Sequence, residues 1–284
     1  MFWRRERAMN KRKIRFGRLA GSILTLIIVL LVLIPVVWLF VSSFKTDKGV
    51  IVYPPQFFPR EWTFAQYSYV AKSIPIFSMT KSTLLFAGGV TLLSVLFDSM
   101  AGYAFARMNF KGSKLLFSII LLTMMVPFQI IMTPLYIEIY KLHMLDTYLG
   151  LILPRATSAF GIYMMRSFFA GLPKSIEESG RIDGMGEFRI YRSLMLPLCK
   201  PALVSLAIFH FMNNWNDLLY PLMLTSSSDK RTLSAGLAVL VGNKVIKYGP
   251  TLAATMISLT PLLILYIFCQ KYFVEGIATA GTKE

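Results

Sequence analysis

Residues 19–41 read LAGSILTLIIVLLVLIPVVWLFV, with no Asp, Glu, Lys or Arg. A helix needs about 20 mostly apolar residues to cross the ~30 Å hydrocarbon core of a bilayer. This one stretch therefore makes the chain a candidate membrane protein. Composition agrees: of 284 residues, 55% are hydrophobic and 15% charged, against about 25% charged in soluble domains.

Working outward, five more windows are long and apolar enough to try as spans: Thr83–Phe105, Leu115–Ile137, Tyr148–Phe169, Ala202–Leu224 and Thr251–Phe273. Tyr148–Phe169 is the weakest because it holds Pro154 and Arg155. The expectation is an all-α membrane protein of six transmembrane helices, with a basic tail over 1–18 and a transmembrane domain over 19–284. The basic start followed by an apolar run superficially resembles a signal peptide. The run is too long and lacks a small-residue cleavage site, so it reads as an uncleaved first span. Pro127, Pro134, Pro154, Pro221 and Pro261 fall inside windows. They mark either packing kinks or a polar pathway. Gln129, Thr133, Thr157 and Ser158 supply polar groups beside them.

The formal net charge is +16, but its distribution argues against nucleic acid as partner. Arg4, Arg5, Arg7, Lys11 and their neighbours fill the tail. Arg107, Lys111 and Lys114 follow the second window, Arg166 lies at the end of the fourth, and Lys174, Arg181, Arg189, Arg192 and Lys200 follow it. Six spans put all of these on one side together with both termini, which is the positive-inside pattern. The expected location is a bacterial-type plasma (inner) membrane, multi-pass, with both termini cytoplasmic and the basic groups near anionic lipid. Cys199 and Cys269 are too few and too far apart for a disulfide framework or a metal site.

Between the fourth and fifth windows lies EESGRIDGMG, residues 177–186. Pro173 suits a helix start, Glu177 and Glu178 suit its first turns, and Gly184 and Gly186 are natural stops. The expected element is a polar helix over Lys174–Asp183, lying on the cytoplasmic surface. Gly180 offers a point of close approach. From the residues alone it is either a solvated loop helix or a docking helix for a cytoplasmic partner.

The same stretch resembles the Glu-Ala-Ala loop of the membrane subunits of binding-protein-dependent ABC importers. Glu178-Ser179-Gly180 stands for the Glu-Ala-Ala, Gly184 for its glycine, and Leu194-Met195-Leu196-Pro197 for the later Ile-x-Leu-Pro. Ser179, Gly180 and Leu194 depart from the pattern. AGYAFARMNFKG (101–112), MMVPFQIIMTPLY (124–136), LDTYLGLILP (145–154), WNDLLYPL (215–222) and QKYFVEGIATAGTKE (270–284) look like the carbohydrate-type, maltose-system-like permeases.

The resemblance implies a path-forming subunit. Its partners would be a second, different permease chain, an ATPase dimer and an extracytoplasmic solute-binding protein. ATP would be bound by the ATPase subunits, with no cofactor on this chain. The loop at about 173–201 would couple to the ATPase through Glu177, Glu178, Gly180, Asp183, Gly184, Leu196 and Pro197.

The chain has no G-x-x-x-x-G-K-[ST] loop and no paired carboxylates or nucleophile constellation that would suggest an enzyme. His143 and His210 lack companion metal ligands in sequence. Asp98 and Asp217 lie in or near windows, where a charge costs about 2.5–3.5 kcal/mol on insertion scales, so each must face the bundle or a wet cavity. On a regular helix Asn213, Asn216 and Asp217 share one face, and Asn214 and Trp215 turn to others. The expected solute path is lined by Asn213, Asn216 and Asp217, with Gln129 and Ser158. A sugar or related polar solute fits such a lining, and the rival reading is a self-contained secondary transporter.

Overall fold

The computed structural model describes residues 2–242 and 247–281, with side chains described for 21–242 and 247–270. Among the described residues every regular element is a helix. In order these are α1 Phe2–Ser42, α2 Asp47–Val50, α3 Ala65–Ser73, α4 Ile76–Arg107, α5 Ser113–Thr123, α6 Phe128–Lys141 and α7 Tyr148–Ile152. A 3-10 turn follows at Leu153–Arg155, then α8 Ala159–Gly171, α9 Ser175–Ile182 and α10 Glu187–Ile190. A π turn at Tyr191–Met195 leads to α11 Leu196–Leu198, α12 Lys200–Asn216, α13 Leu219–Leu224, α14 Leu233–Gly242 and α15 Tyr248–Gly281.

Three helical stretches are long and apolar enough to cross a membrane: Gly21–Ser42, Ile76–Arg107 and Tyr248–Gln270. Two bent pairs raise this to five if each is one span. Ser113–Thr123 with Phe128–Lys141 bends by 100°, and Glu187–Leu198 with Lys200–Asn216 by 82°. The first bend falls at Pro127, whose ring cannot continue a helix. The window Tyr148–Phe169 is not one helix, because the chain leaves helical geometry around Arg155–Ser158. The window Ala202–Leu224 likewise splits after Asn216.

The chain forms two compact units, residues 1–70 with 246–256, and residues 71–245 with 257–284. In the first, α1 runs without a break from the basic tail through the apolar window, with Pro35 inside it. From Gly21 to Leu33 every side chain is exposed, a surface suited to lipid. Beyond α1, Thr46 caps α2 by accepting from Gly49 N. Lys45 donates to Gln56 O at 2.6 Å and lies 4.3 Å from the Trp38 ring. Phe44 gathers Phe40, Trp62, Phe64 and Tyr67 around it.

In the second unit α4 is the central post, packed on α8 and α12. Its buried residues, Met79, Ser82, Thr83, Phe86, Val90, Ser94, Asp98, Gly102 and Tyr103 among them, recur at three- and four-residue spacing. That spacing makes one stripe along a helix. Much of the stripe is small or hydroxylated, as expected where helices must approach closely without a large hydrophobic gain. At Gly102 a Cβ would stand 2.6 Å from Met165 Cβ and 2.8 Å from Arg166 N, so only glycine lets α8 lie this close. Two apolar clusters flank the middle of α4. One holds Tyr103, Met165, Phe169, Ile190, Tyr191, Met195 and Leu206. The other holds Phe86, Val90, Ile139, Leu151, Tyr220 and Leu224.

Candidate functional site

The break before α8 builds the site. Pro154 has no N–H to give a helix, and Ser158 takes up extended geometry as the N-cap of α8, accepting from Gly161 N. Asp98 of α4, fully buried, reaches into this break. It accepts from Thr157 Oγ1 at 2.7 Å, Ser158 N at 2.9 Å and Ser158 Oγ at 3.1 Å. The N-terminal end of a helix is a favourable place for a carboxylate. His210 of α12 stands on the other side, its Nε2 3.0 Å from Asp98 Oδ2. A carboxylate partner assigns the Nε2–H tautomer. Asp98 thereby ties α4, α8 and α12 together at one level. A Cβ at Gly161 would collide with its carboxylate.

Above this knot, Arg155 forms a second one. Its guanidinium is 2.5 Å from Asp217 Oδ2, donates to Asn214 Oδ1 at 2.9 Å, and lies 4.4 Å from the Tyr220 ring. Asp217 follows the last residue of α12 in extended geometry and also accepts from Tyr220 N. Two opposite charges from two apolar windows are tolerable because they neutralise each other and are hydrogen-bonded.

A cavity of about 390 Å3 opens between the two knots. Arg155, Thr157, Ser158, His210, Asn213, Asn214 and Asp217 give it polar walls, and Phe160 and Phe209 an aromatic one with ring centroids 4.3 Å apart. Apolar lining with a few placed polar groups is the usual composition of a small-molecule site.

Of the residues expected on the path, the structure brings Ser158, Asn213 and Asp217 to this cavity. Asn216 is exposed, donates to Met212 O and is not in the lining. Helix α12 ends there, so the regular spacing that put Asn216 and Asp217 on one face does not continue. Asn214, expected on another face, lines the cavity and holds Arg155. Gln129 is exposed in the first turn of α6, outside the lining. Arg155 and His210 were missed. Two carboxylates in apolar windows need basic or donor partners, and a search of the windows for basic groups finds Arg155 and His210, alongside Arg166 and Lys271.

The loop at 173–201 contains α9, one residue shorter at each end than the expected Lys174–Asp183. Its end is a Schellman motif: Met185 N donates to Gly180 O at 2.9 Å and Gly184 N to Arg181 O at 3.1 Å. Gly184 takes φ +75°, the left-handed geometry this motif requires. Gly180 faces inward, where a Cβ would lie 2.8 Å from Leu194 Cδ1 and 3.2 Å from Ile190 Cγ1.

Glu177 is buried and paired with Arg107 at the end of α4, and Glu178 and Asp183 are exposed. Ile182 is 86% and Phe188 63% exposed, so α9 and the turn after it present a mixed acidic and apolar surface. Leu196 and Pro197 belong to α11, the strut back into α12. Cys199 is buried, and no group of metal-ligating side chains occurs among the described residues.

This arrangement, a helical membrane subunit with a polar cavity and a structured polar loop between bent helices, matches one known class. The chain belongs to the family of binding-protein-dependent transport system inner membrane components, matched over residues 98–278. It is similar to the arabinooligosaccharides transport system permease protein AraQ of Bacillus subtilis (strain 168), at 32% identity over 94% of this chain and 96% of that one. The AraQ of Halalkalibacterium halodurans is 39% identical over 68% and 70%. The diacetylchitobiose uptake system permease protein NgcG of Streptomyces coelicolor is 30% identical over 94% and 89%. In fold it resembles a chain of a bacterial ABC transporter involved in the import of the acidic polysaccharide alginate, with TM-score 0.77 and 24% identity over 91% and 97%. The protein is thus a transmembrane subunit of an ABC importer and a multi-pass inner-membrane protein.

Proposed function

We propose that this subunit forms half of the translocation path for a sugar or related polar solute, and that the path runs through the cavity between Asp98 and Arg155. The observation that carries this reading is the cavity itself. Its amide, hydroxyl and aromatic walls suit a ring with polar edges and apolar faces. Relatives named for arabinooligosaccharide and diacetylchitobiose transport support the solute class.

In this reading the chain makes six passes: α1, α4, the α5–α6 pair, the broken α7–α8 segment, α12–α13 and α15. Both termini and the 173–201 loop are cytoplasmic, with residues 1–18 a basic extension of the membrane domain. The loop docks α9 on an ATPase dimer, which binds the ATP, and a different permease chain completes the path. An extracytoplasmic protein delivers solute. This chain contributes no catalytic group and no cofactor.

Reconstitution in liposomes tests the reading. Uptake should need all partners and ATP, and Asn213→Ala should change the ranking of competing disaccharides. Unchanged ranking, with the complex intact, would move the path elsewhere.

A further inference from the structure

We infer that the segment following α1 builds a site for phosphate, carried by the headgroup of an anionic phospholipid. This holds whether or not the cavity is the solute path. The orientation proposed above makes the leaflet the outer one.

The starting point is a buried cation without a counter-charge. Lys45 is 2% exposed. Its ammonium carries three N–H donors. One goes to Gln56 O at 2.6 Å, and the charge lies 4.3 Å from the centre of the Trp38 ring. Among the described residues no carboxylate is paired with it. Burial holds the ammonium below the ordinary lysine value, with no neighbouring acid to offset the effect. A desolvated charge with only a carbonyl and a ring beside it is costly to keep. An anion alongside would remove that cost.

Room for an anion lies next to it. Lys45 lines a pocket of about 250 Å3, whose walls also include Lys48, Gln56, Phe58, Arg60 and Glu61. Three cations against one carboxylate leave these walls net positive. Arg60 gives Nε to Gln56 Oε1, and among the described residues neither Arg60 nor Lys48 forms an ion pair. Guanidinium and ammonium groups are the usual side-chain partners of phosphate. The pocket is below the roughly 300–1,000 Å3 of ordinary small-molecule sites, the scale of a headgroup and not of a disaccharide.

Position selects a lipid as the carrier. The apolar stretch of α1 ends at Ser42, three residues before Lys45. The pocket therefore sits where hydrocarbon gives way to headgroups. Tyr53, Phe58, Trp62 and Phe64, on the same segment, are exposed, and aromatic rings gather at that level of a bilayer. Basic pockets at a membrane surface take acidic headgroups. Net positive walls favour phosphatidylglycerol, which carries a net charge, over phosphatidylethanolamine, which carries none.

The test is photo-cross-linking of the purified importer complex in phosphatidylethanolamine liposomes. These are doped, at equal low mole fraction, with phosphatidylglycerol or phosphatidylethanolamine bearing a diazirine near the glycerol backbone. Cross-linked peptides are located by mass spectrometry, with the basic tail at 1–18 as the reference for non-specific attraction. The phosphatidylglycerol probe should label residues 45–61 at least about tenfold more than the phosphatidylethanolamine probe. Excess soluble glycerol 3-phosphate should not suppress this labelling. Lys48→Gln combined with Arg60→Gln, both at exposed positions, should lower it about tenfold and leave the reference at 1–18 unchanged. Lys45→Met should do the same, and the exposed double variant keeps the test decisive if Lys45→Met does not fold. Equal labelling by the two probes, or labelling indifferent to the double variant, overturns the site. Suppression by glycerol 3-phosphate overturns the lipid as carrier and assigns the pocket to free phosphate.

Discussion

Arg107 Nη1 stands 3.6 Å from Glu177 Oε2, with side chains 4% and 5% exposed. The guanidinium also donates to Phe169 O and Leu172 O at the end of α8. One side chain at the tip of α4 thus holds the last carbonyls of α8 and the first turn of α9. Positive charge is favourable at a helix C-terminus, so Arg107 is bound on two counts. Glu177 therefore orients α9 from inside, and Glu178, one residue on, is the acid that a partner can reach.

That division separates two variants. Glu177→Ala leaves a buried guanidinium short of its counter-charge, a change that typically costs about 3–5 kcal/mol. The two carbonyl bonds that remain on Arg107 place it at the lower end. Thermal unfolding of the purified subunit should show the loss. Glu178→Ala should leave stability within about 0.5 kcal/mol and weaken recovery of the ATPase. Equal effects of the two on stability would remove the distinction between inner and outer acid.

The two glycines of the loop should respond differently. Gly184 needs positive φ, so Gly184→Val should cost about 1–3 kcal/mol of local order, and Gly184→Asn much less because Asn visits this region. Nothing lies within 4 Å of a Cβ there, so backbone geometry and not crowding sets the ranking. Gly180→Ala gains about 1 kcal/mol of helix propensity against close contacts with the end of the Leu194 side chain and with buried Ile190, and should be near neutral. Transport and ATPase coupling assays on the three variants check the order.

Much of this architecture was legible. The charge-free run at 19–41 and the acid-led, glycine-stopped helix at 175–182 follow from composition and spacing alone. What was not legible was every feature that depends on a break. A helical wheel drawn through residue 217 assumes that α12 continues, whereas the chain turns extended at Asp217 and swings its carboxylate onto Arg155. The partners of Asp98 come from residues 59, 60 and 112 positions away, a pairing that no local period encodes.

Gly161 gives the cavity a direct structural check. A methyl group there would meet the Asp98 carboxylate, and backbone is too close-packed on α8 to yield. Gly161→Ala should cost about 1–3 kcal/mol, as overpacking usually does, and Asp98→Ala should cost at least as much by leaving several donors unpaired. The double variant should be less harmful than the sum, because the clash disappears with the carboxylate. Full additivity in unfolding measurements would show that the two residues do not meet.

Topology is open to labelling. Ser175 and Ser228 are both exposed, and the proposed arrangement puts them on opposite sides of the membrane. Ser228 is preferable to Ser227, whose hydroxyl is bound to Asp146. In intact cells an impermeant thiol reagent should label Ser228→Cys and spare Ser175→Cys until the membrane is opened. Reaction at Ser175→Cys from outside would reverse the proposed orientation of the loop.

Asp146 predicts how the connection between α6 and α7 responds to acid. It takes φ +55°, and its N–H donates to Leu224 O at 2.9 Å. Its carboxylate accepts from Ser226 N, Ser227 N and Ser227 Oγ, with Lys230 Nζ 3.8 Å away. Partial burial pushes the carboxyl up, but the bonds from Ser227 and Ser226 and the Lys230 charge outweigh this and hold it below its ordinary value. A depressed carboxyl contributes stability that is fully present above the unfolded value of about 3.9 and is lost as pH falls through the folded one. Asp146→Asn keeps the shape and tolerates positive φ but lacks the charge. The Tm of the wild-type complex should therefore exceed that of the variant at pH 5–7, and the gap should close as pH falls below about 4. Other carboxylates titrate in both proteins, so the difference isolates Asp146. A gap that stays constant with pH would mean that the charge of Asp146 contributes nothing to holding residues 224–230 in place.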